Sequence, residues 1–195
     1  MRGIFTALAL LLLATSMSVA GSIEVYAGNI SPLIDQTKLS TLGKRGANPR
    51  VRKYVYWLGV ARQNKTDPRQ VATQAVRDAG YEGEAATLTL NAMLRNLDIA
   101  TQLGCFDTEG MEELRKGNAP AIRKGPYAGQ ELSTDHIIPY AVCPELDCTI
   151  ANLELLPLTM NGKKRATIGQ RQKALAVGLH KTGLLSAKGK AAVVK

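Results

Sequence analysis

Histidine and cysteine are scarce in this sequence, which contains two histidines and three cysteines among 195 residues. A structural zinc site usually takes four cysteine or histidine ligands. One of the two histidines has a better use elsewhere, so the ligands for such a site are not present. A chain of this length can bury a core without disulfides or a metal to hold it together. Hydrophobic residues make up 45% of the chain and charged residues 21%, which is typical of a soluble globular protein. We therefore expect one main domain.

Long apolar runs are missing after the first 20 residues, so no later stretch approaches the length of a transmembrane helix. Residues 4–14 form an apolar run that is too short to span a bilayer comfortably. Arg2 precedes this run, and "SVA" at 18–20 supplies the small residues at which signal peptidases cut. We predict a signal peptide over residues 1–20 and an exported protein, in the periplasm or outside the cell. An uncleaved membrane anchor is the alternative.

Acidic residues are missing from the last part of the chain. Residues 155–195 hold nine Lys and Arg and no Asp or Glu, whereas residues 1–154 hold 16 of each kind. A one-sided basic segment suits a polyanion such as DNA or RNA, because neutralised phosphates release condensed counterions. A solvated basic tail, or one that binds an acidic membrane surface, is equally compatible with charge alone. Acidic residues outnumber basic ones over residues 67–116, which argues against a groove-reading helix-turn-helix there.

The first half of the chain is expected to be helical. Residues 21–47 are predicted to be loosely structured, with a short helix starting near Ser31-Pro32. At Asn48-Pro49 and Asp67-Pro68 a capping side chain precedes a proline, which is typical of a helix start. Apolar residues then recur at helical spacing and predict a bundle over residues 48–116. Its helices are expected after these two prolines, over residues 85–103 and over residues 109–116.

The pattern changes after the predicted bundle. Gly and Pro punctuate residues 117–130, which predicts a connector. Residues 131–139 and 149–158 have the β-branched, apolar composition of short strands, and residues 159–180 return to helical spacing.

The predicted fold class is α+β, with a mainly helical N-terminal bundle and a C-terminal strand–strand–helix unit. The expected segments are a signal peptide (1–20), the N-terminal segment and helical bundle (21–116), the connector (117–130), the strand–strand–helix unit (131–181) and a basic C-terminal tail (182–195).

Four polar residues stand on the strand–strand–helix unit. Asp135 and His136 lie on the first strand, Asn152 near the second and Asn161 at the start of the helix, with the spacing D-H-x15-N-x8-N. The sequence here resembles the HNH endonuclease family, whose ββα-metal motif runs Asp-His, then Asn, then His or Asn. The stretches "DHIIP", "NLELLP" and "MNGKK" carry the resemblance, which covers residues 131–181.

This resemblance implies a metal-dependent phosphodiester hydrolase. His136 would be the general base, because an imidazole takes up a proton near neutral pH. Asp135 and Asn161 would supply oxygen ligands to a divalent metal, with Mg²⁺ expected and Mn²⁺ or another ion as a substitute. Asn152 would brace the loop between the strands and help to hold His136. Adjacent strand residues point to opposite faces. Asp135 can bind the metal while His136 reaches the attacking water only if the strand ends or bends at this point.

Basic residues beyond the second strand complete the expected site. They are expected to hold the phosphates of the substrate, and Lys164 is also assigned to the phosphate in the transition state. These residues are Lys163, Lys164, Arg165, Arg171 and Lys173.

The sequence departs from the family pattern in two ways. Its third motif residue is Asn rather than His, a variant that the family permits. Many members carry four zinc-binding cysteines around the motif, and this chain does not. Cys143 and Cys148 bracket "PELD" and could form a disulfide that restores some rigidity. Cys105 is then the odd one out, either buried or available for another pairing. The second histidine, His180, is expected to interact with the negative end of the last helix.

We therefore expect an exported, metal-dependent endonuclease that cleaves DNA with low sequence specificity, and RNA is left open as a second substrate. Two alternatives belong to other classes. One is a nucleic-acid-binding protein without activity on the same fold. The other is a protein that binds the cell envelope or an anionic polymer through the basic C-terminal segment. An Asp that caps or bridges beside a buried core histidine is the structural alternative for the Asp135-His136 pair.

Overall fold

A computed structural model describes residues 22–164 and 166–195. The predicted signal peptide, residues 1–20, and Arg165 lie outside the described residues.

Residues 22–116 fold into a bundle of six helices. Two of them precede the predicted bundle, residues 48–116, and the other four follow the predicted positions closely. They are α1 (Ile23–Ile34), α2 (Gln36–Ser40), α3 (Asn48–Gln63), α4 (Pro68–Asp78), α5 (Gly83–Gln102) and α6 (Thr108–Lys116).

Apolar faces of the longer helices meet in one core. Helix α1 packs against α3 and α4, and α5 packs against the same two helices. Tyr54, Leu58, Val71 and Met93 are fully buried there, as the helical spacing of apolar residues predicts.

The expectation that residues 21–47 are loosely structured is wrong, because α1 and α2 occupy much of this segment. Tyr26, Ile30 and Ile34 recur at helical spacing and are buried against the bundle. Pro32 lies inside α1 instead of at a helix start. A proline removes one backbone hydrogen bond from a helix, and burial of the apolar stripe outweighs that cost.

The two predicted helix caps have different outcomes. The carboxylate of Asp67 accepts a hydrogen bond from the backbone N–H of Arg69 at 2.9 Å, so this cap is confirmed. Asn48 is the first residue of α3 instead of its cap, and the prediction is wrong there. Ala47 takes the capping position with φ −79° and ψ −17°. Because Ala47 is already close to helical conformation, the helix begins one residue earlier than expected.

Two antiparallel strands follow the bundle, β1 (Leu132–His136) and β2 (Leu153–Pro157). The register sets Asp135 opposite Glu154. An inter-strand loop, residues 137–152, joins the strands and includes two short 3₁₀ turns. One face of the sheet, with Leu132, Leu153 and Leu155, is buried in the core of the bundle.

Asn96 of α5 joins the bundle to β2. Its Nδ2 donates to the carbonyl of Leu153 at 3.1 Å, and its Oδ1 accepts from the backbone N–H of Leu155 at 3.0 Å. The same Nδ2 donates to the hydroxyl of Tyr54 at 2.6 Å. A strand at the edge of a sheet presents unpaired backbone groups, and Asn96 satisfies two of them with a fully buried side chain.

Three helices complete the described chain: α7 (Leu158–Lys164), α8 (Gln170–Lys181) and α9 (Ala187–Val194). The prediction of one helix over residues 159–180 is wrong, because Gly169 is extended (φ −118°, ψ −170°) and begins α8 as its N-cap.

The segment expected as a basic C-terminal tail, residues 182–195, contains α9 and packs on the rest of the chain. Ser186 caps α9, and Leu185 and Val193 are buried in a second apolar cluster with Ile138 and Leu179. Helices and a small antiparallel sheet together make the fold α+β, as predicted. Within the described residues, no helix is both long and apolar enough to cross a membrane.

Candidate functional site

Two carboxylates meet on the face of the sheet that points away from the bundle. Asp135 and Glu154 are directly opposite in the register of β1 and β2, where like charges destabilise a sheet unless they are neutralised. The ammonium group of Lys164, at the end of α7, lies 2.6 Å from Asp135 Oδ2 and 3.5 Å from Glu154 Oε1. It also donates to the carbonyl of His136 at 2.6 Å. We call these three oxygens the oxygen cradle.

Arg171 of α8 holds the second carboxylate of the cradle. Its two terminal nitrogens donate to Glu154 Oε1 at 3.2 Å and Oε2 at 2.5 Å. The side chain of Glu154 is only 4% exposed, and a buried carboxylate needs such pairing to remain charged. Arg171 therefore fixes Glu154, while Lys164 spans both carboxylates.

Asn161 lies on the same side of the sheet as the cradle. Its Nδ2 donates to Ser133 Oγ at 3.1 Å. Ser133 and Asp135 are two residues apart on β1 and share a face, which separates them by about 7 Å. Among the residues that the structure describes, none donates a hydrogen bond to Asn161 Oδ1. A ligand could therefore bind this oxygen without displacing a hydrogen-bond donor of the described residues.

His136 lies apart from this group. It is the last residue of β1, and its side chain points to the opposite face from Asp135. Its ring is 8% exposed, and Nε2 lies 3.0 Å from both the carbonyl oxygen and Oδ1 of Asp147. Oδ1 is outside hydrogen-bond geometry. The Nε2–H group therefore donates its hydrogen bond to the carbonyl of Asp147. With Nε2 as the donor, Nδ1 is the nitrogen that can accept a proton.

The loop that holds His136 is itself braced by Asn152. The backbone N–H of Ile138 donates to Asn152 Oδ1 at 2.8 Å. Asn152 Nδ2 donates to the carbonyls of Ile138 at 3.1 Å and Leu146 at 3.4 Å. The buried amide thus ties both ends of the inter-strand loop together, which is the bracing geometry expected for this position.

A cleft of about 500 Å³ opens beside the cradle. We call it the site cleft. Its walls come from the loop before β1, from β2, and from α7 and α8. The residues that matter for its chemistry are Tyr127, Leu156, Met160, Lys163, Lys164 and Arg171.

Lys173, which was expected to hold phosphates of the substrate, lies elsewhere. Lys173 donates to the carbonyl of Lys195 at 2.9 Å, so it is tied to the end of the chain instead of the cleft. His180 is in the last turn of α8, where its Nδ1 contacts the carbonyl of Leu185 at 3.0 Å. Arg165 lies outside the described residues.

The cysteines do not form the expected disulfide, since Cys105, Cys143 and Cys148 are all free thiols in the structure. Cys143 faces the second apolar cluster, whereas Cys148 packs against the core of the bundle, so their side chains diverge. Burial raises the pKa of Cys143 to about 11 and also raises the pKa of Cys148. Both thiols are therefore protonated near neutral pH.

A metal at this site would be held by oxygen. In residues 22–164 and 166–195, no three His, Cys, Asp or Glu side chains form a metal-binding group. The donors present are the carboxylates of Asp135 and Glu154 and the amide oxygen of Asn161. The cradle already surrounds one cation, the ammonium of Lys164. Hard oxygen donors around a cation fit Mg²⁺ or Mn²⁺, which complete their shells with water.

Three residues of the site do not belong to the expected motif. Glu154 could have been found, because it is the only charged residue in the apolar stretch predicted as the second strand, residues 149–158. Asp147 and Tyr127 come from irregular loops, for which the sequence carries no periodic signal.

Comparison of the chain with models of protein families, with curated proteins and with solved structures finds no match. The chemistry of the site is therefore inferred from its geometry.

Proposed function

We propose that this chain is a metal-dependent endonuclease of the HNH type, which hydrolyses phosphodiester bonds in DNA, with RNA as a second substrate class. The observation that carries the proposal is the oxygen cradle, which grips a cation directly beside a basic cleft. Oxygen donors suit a divalent metal, and the cleft's lysines suit phosphate. Because phosphate contacts carry no base information, the proposed sequence specificity is low.

The order of elements supports the same proposal. Two short antiparallel strands lead into a helix, and Asp135, Asn152 and Asn161 stand on them at the spacing of the ββα-metal motif. Asn152 braces the inter-strand loop with both ends of its amide. The signal peptide predicted over residues 1–20 supports a location outside the cytoplasm for the proposed enzyme.

In the proposed reaction, Asp135 and Asn161 would hold the divalent cation, with Glu154 beside them. When bound, the cation stabilises negative charge on the leaving oxygen. Lys164 leaves the cradle and turns to the substrate's phosphate, which its long, flexible side chain permits. Lys163 holds the phosphate on the outer side of the cleft.

His136 accepts the proton of the attacking water at Nδ1. Because the ring lies on the face opposite Asp135, it must turn toward a phosphate near Asp135, and it does so from the last residue of β1, where the chain leaves the sheet. Asp147 keeps the other nitrogen protonated through its carbonyl, and its carboxylate stabilises the imidazolium that forms. The backbone N–H of Arg45 donates to Asp147 Oδ2 at 2.8 Å, so the bundle helps to fix this residue.

One arrangement favours a second candidate function, a nucleic-acid-binding protein without activity. Asp135 and His136 lie on opposite faces of the sheet, and Lys164 fills the cradle. A protein that only binds phosphates can keep both features permanently, whereas a nuclease must change both.

A plasmid-nicking assay in Mg²⁺ and in Mn²⁺ tests the proposal. We expect wild type to nick supercoiled DNA, EDTA to stop the reaction, and His136→Ala to lower the rate at least about 100-fold, as for loss of a general base. His180→Ala is the matched control and should keep full activity, because that ring lies in the last turn of α8, away from the cradle, and contacts the carbonyl of Leu185. If wild type cleaves with neither metal, the nuclease proposal is wrong; DNA binding that persists then supports the second candidate.

A further inference from the structure

The two walls of the site cleft are fastened to each other. One wall is a hairpin loop, residues 122–130, that is closed by backbone hydrogen bonds from Ile122 N to Gln130 O and from Gly129 N to Ile122 O, both 2.8 Å. The other wall is α7. The hydroxyl of Thr159 in α7 donates to Gln130 Oε1 at 2.8 Å. The opening between the walls is therefore set before a ligand arrives.

Tyr127 sits in the turn of this hairpin loop and lines the cleft. Its ring packs in part on the core of the bundle, which holds it in place. Among the described residues, its hydroxyl has no hydrogen-bond partner. Leu156 and Met160 form an apolar surface in the same cleft, and Met160 is 40% exposed.

Cations stand on one side of this apolar surface. Lys163 is exposed, and Lys164 reaches from the same helix into the oxygen cradle. An aromatic ring and apolar side chains beside two lysines can take a nucleotide, with its base on the ring and its phosphate on the lysines. The cleft volume of about 500 Å³ lies within the range of small-ligand sites in proteins.

We infer that the site cleft is a subsite for one unpaired nucleobase, stacked on Tyr127, next to the phosphate that the oxygen cradle serves. The substrate is then a single-stranded stretch of DNA. This inference rests on the proposed function and deepens it by naming the substrate's form. A base in a duplex reaches such a cleft only after leaving its stack, which costs free energy that an unpaired base does not lose.

Binding of a single-stranded 12-mer DNA with 2-aminopurine at its central positions tests the subsite without any cleavage. The full chain carrying His136→Ala is used in EDTA, and the probe's fluorescence is followed. We expect quenching on binding, as the base stacks. Tyr127→Leu should remove the quenching and weaken binding about tenfold, within the range seen for loss of base–aromatic stacking. Tyr127→Phe should keep both, because it keeps the ring.

Tyr56→Leu is the matched control for the aromatic change. Tyr56 lies on α3, edge-on to Trp57 with ring centroids 5.1 Å apart, and its loss should leave the probe's quenching unchanged. Lys163→Gln should lower the slope of log affinity against log salt by about 0.7, the value for one phosphate contact on a single strand. Lys38→Gln, at an exposed position of α2, should leave that slope unchanged.

Each result decides for or against the subsite. Equal binding and equal quenching by wild type and Tyr127→Leu overturn it, as does a duplex that binds as tightly as the single strand. Absence of any single-strand binding also overturns it. A chain that shows the Tyr127-dependent quenching yet cleaves no DNA supports the subsite and refutes only the nuclease proposal.

Discussion

The side chain of Lys164 joins both carboxylates of the oxygen cradle. Asp135 and Glu154 face each other across the strands, and Lys164 contacts them at 2.6 Å and 3.5 Å. Neutralisation of this pair by a lysine makes the sheet stable without metal. A divalent cation that uses the same oxygens must displace the ammonium group, so Lys164 and the metal compete.

Replacing Lys164 should therefore strengthen metal binding. A hydrogen bond to a charged group contributes about 1.5–3 kcal/mol, so Lys164→Gln should bind Mn²⁺ about tenfold or more tightly. Calorimetric titration with MnCl₂ measures this directly, without reliance on activity. The same variant should bind DNA more weakly, because one phosphate contact is lost.

Lys163→Gln is the control for this titration. Lys163 precedes Lys164 on α7 but is exposed and does not contact the cradle. Its replacement should leave Mn²⁺ affinity as in wild type. Weaker Mn²⁺ binding by Lys164→Gln than by Lys163→Gln would show that the cradle is not the metal position.

Among single residues, the sequence predicts those that a fixed motif spacing specifies. Asp135, Asn161 and Lys164 are on one side of the sheet, and Asn152 braces the loop. Lys164, expected at the substrate's phosphate, pairs with Asp135 instead. The contact of His136 with Asp147 was not predictable, because Asp147 lies in an irregular loop whose sequence has no periodic pattern.

At the scale of elements, the joint between α5 and β2 decides whether the sheet stays on the bundle. Asn96 makes this joint through Leu153 O and Leu155 N, and it also contacts the hydroxyl of Tyr54. Its side chain is fully buried, so water does not replace these bonds when the amide is removed.

Asn96→Ala should lower the free energy of unfolding by about 3 kcal/mol, the upper part of the range for buried polar groups left without partners. Urea denaturation measures the loss. Asn91→Ala removes the same side chain from an exposed position of α5 and should change stability by no more than about 0.5 kcal/mol. Equal losses in the two variants would mean that the hydrogen bonds of the Asn96 side chain do not contribute to stability.

Element prediction succeeded where apolar periodicity was strong and failed where a local signal competed with it. The four helices over residues 48–116 follow such stripes. Pro32 suggested a helix start, so the apolar stripe of α1 was not recognised. Gly169 begins α8 within the segment that was predicted as one continuous helix. The sequence carries no signal for the contact of Asn96 with β2, because a buried asparagine in a helix cannot be recognised before its partner strand is placed.

At the scale of the whole molecule, the bundle and the strand–strand–helix unit share one apolar core. Leu132, Leu153 and Leu155 of the sheet lie in the same cluster as Tyr54 and Cys105 of the bundle. The α+β class follows from the order of elements in the sequence. The shared core does not, because it depends on contacts between distant parts of the chain, which local patterns do not encode.

This shared core makes stability sensitive to alkaline pH. Burial, with a smaller contribution from Asp107, raises the pKa of Cys105 from 9.0 to about 11, and burial raises the pKa of Tyr54 from 10.0 to about 12. Above pH 9 the unfolded chain releases these protons first and binds fewer of them than the folded chain. Stability contributed by the buried neutral groups is therefore complete below pH 9 and is lost as the pH rises toward 11 and 12.

We expect the Cys105 thiol alone to account for a loss of about 2 kcal/mol in the free energy of unfolding between pH 8.5 and about 10.5, at 1.36 kcal/mol for each unit of pKa difference. Urea denaturation of wild type and Cys105→Ala at both pH values, with reductant present, measures it. Cys105→Ala is less stable at pH 8.5 because it leaves a cavity, but its stability should fall with pH by about 2 kcal/mol less than that of wild type. Equal falls in the two proteins would show that the buried thiol does not titrate with folding.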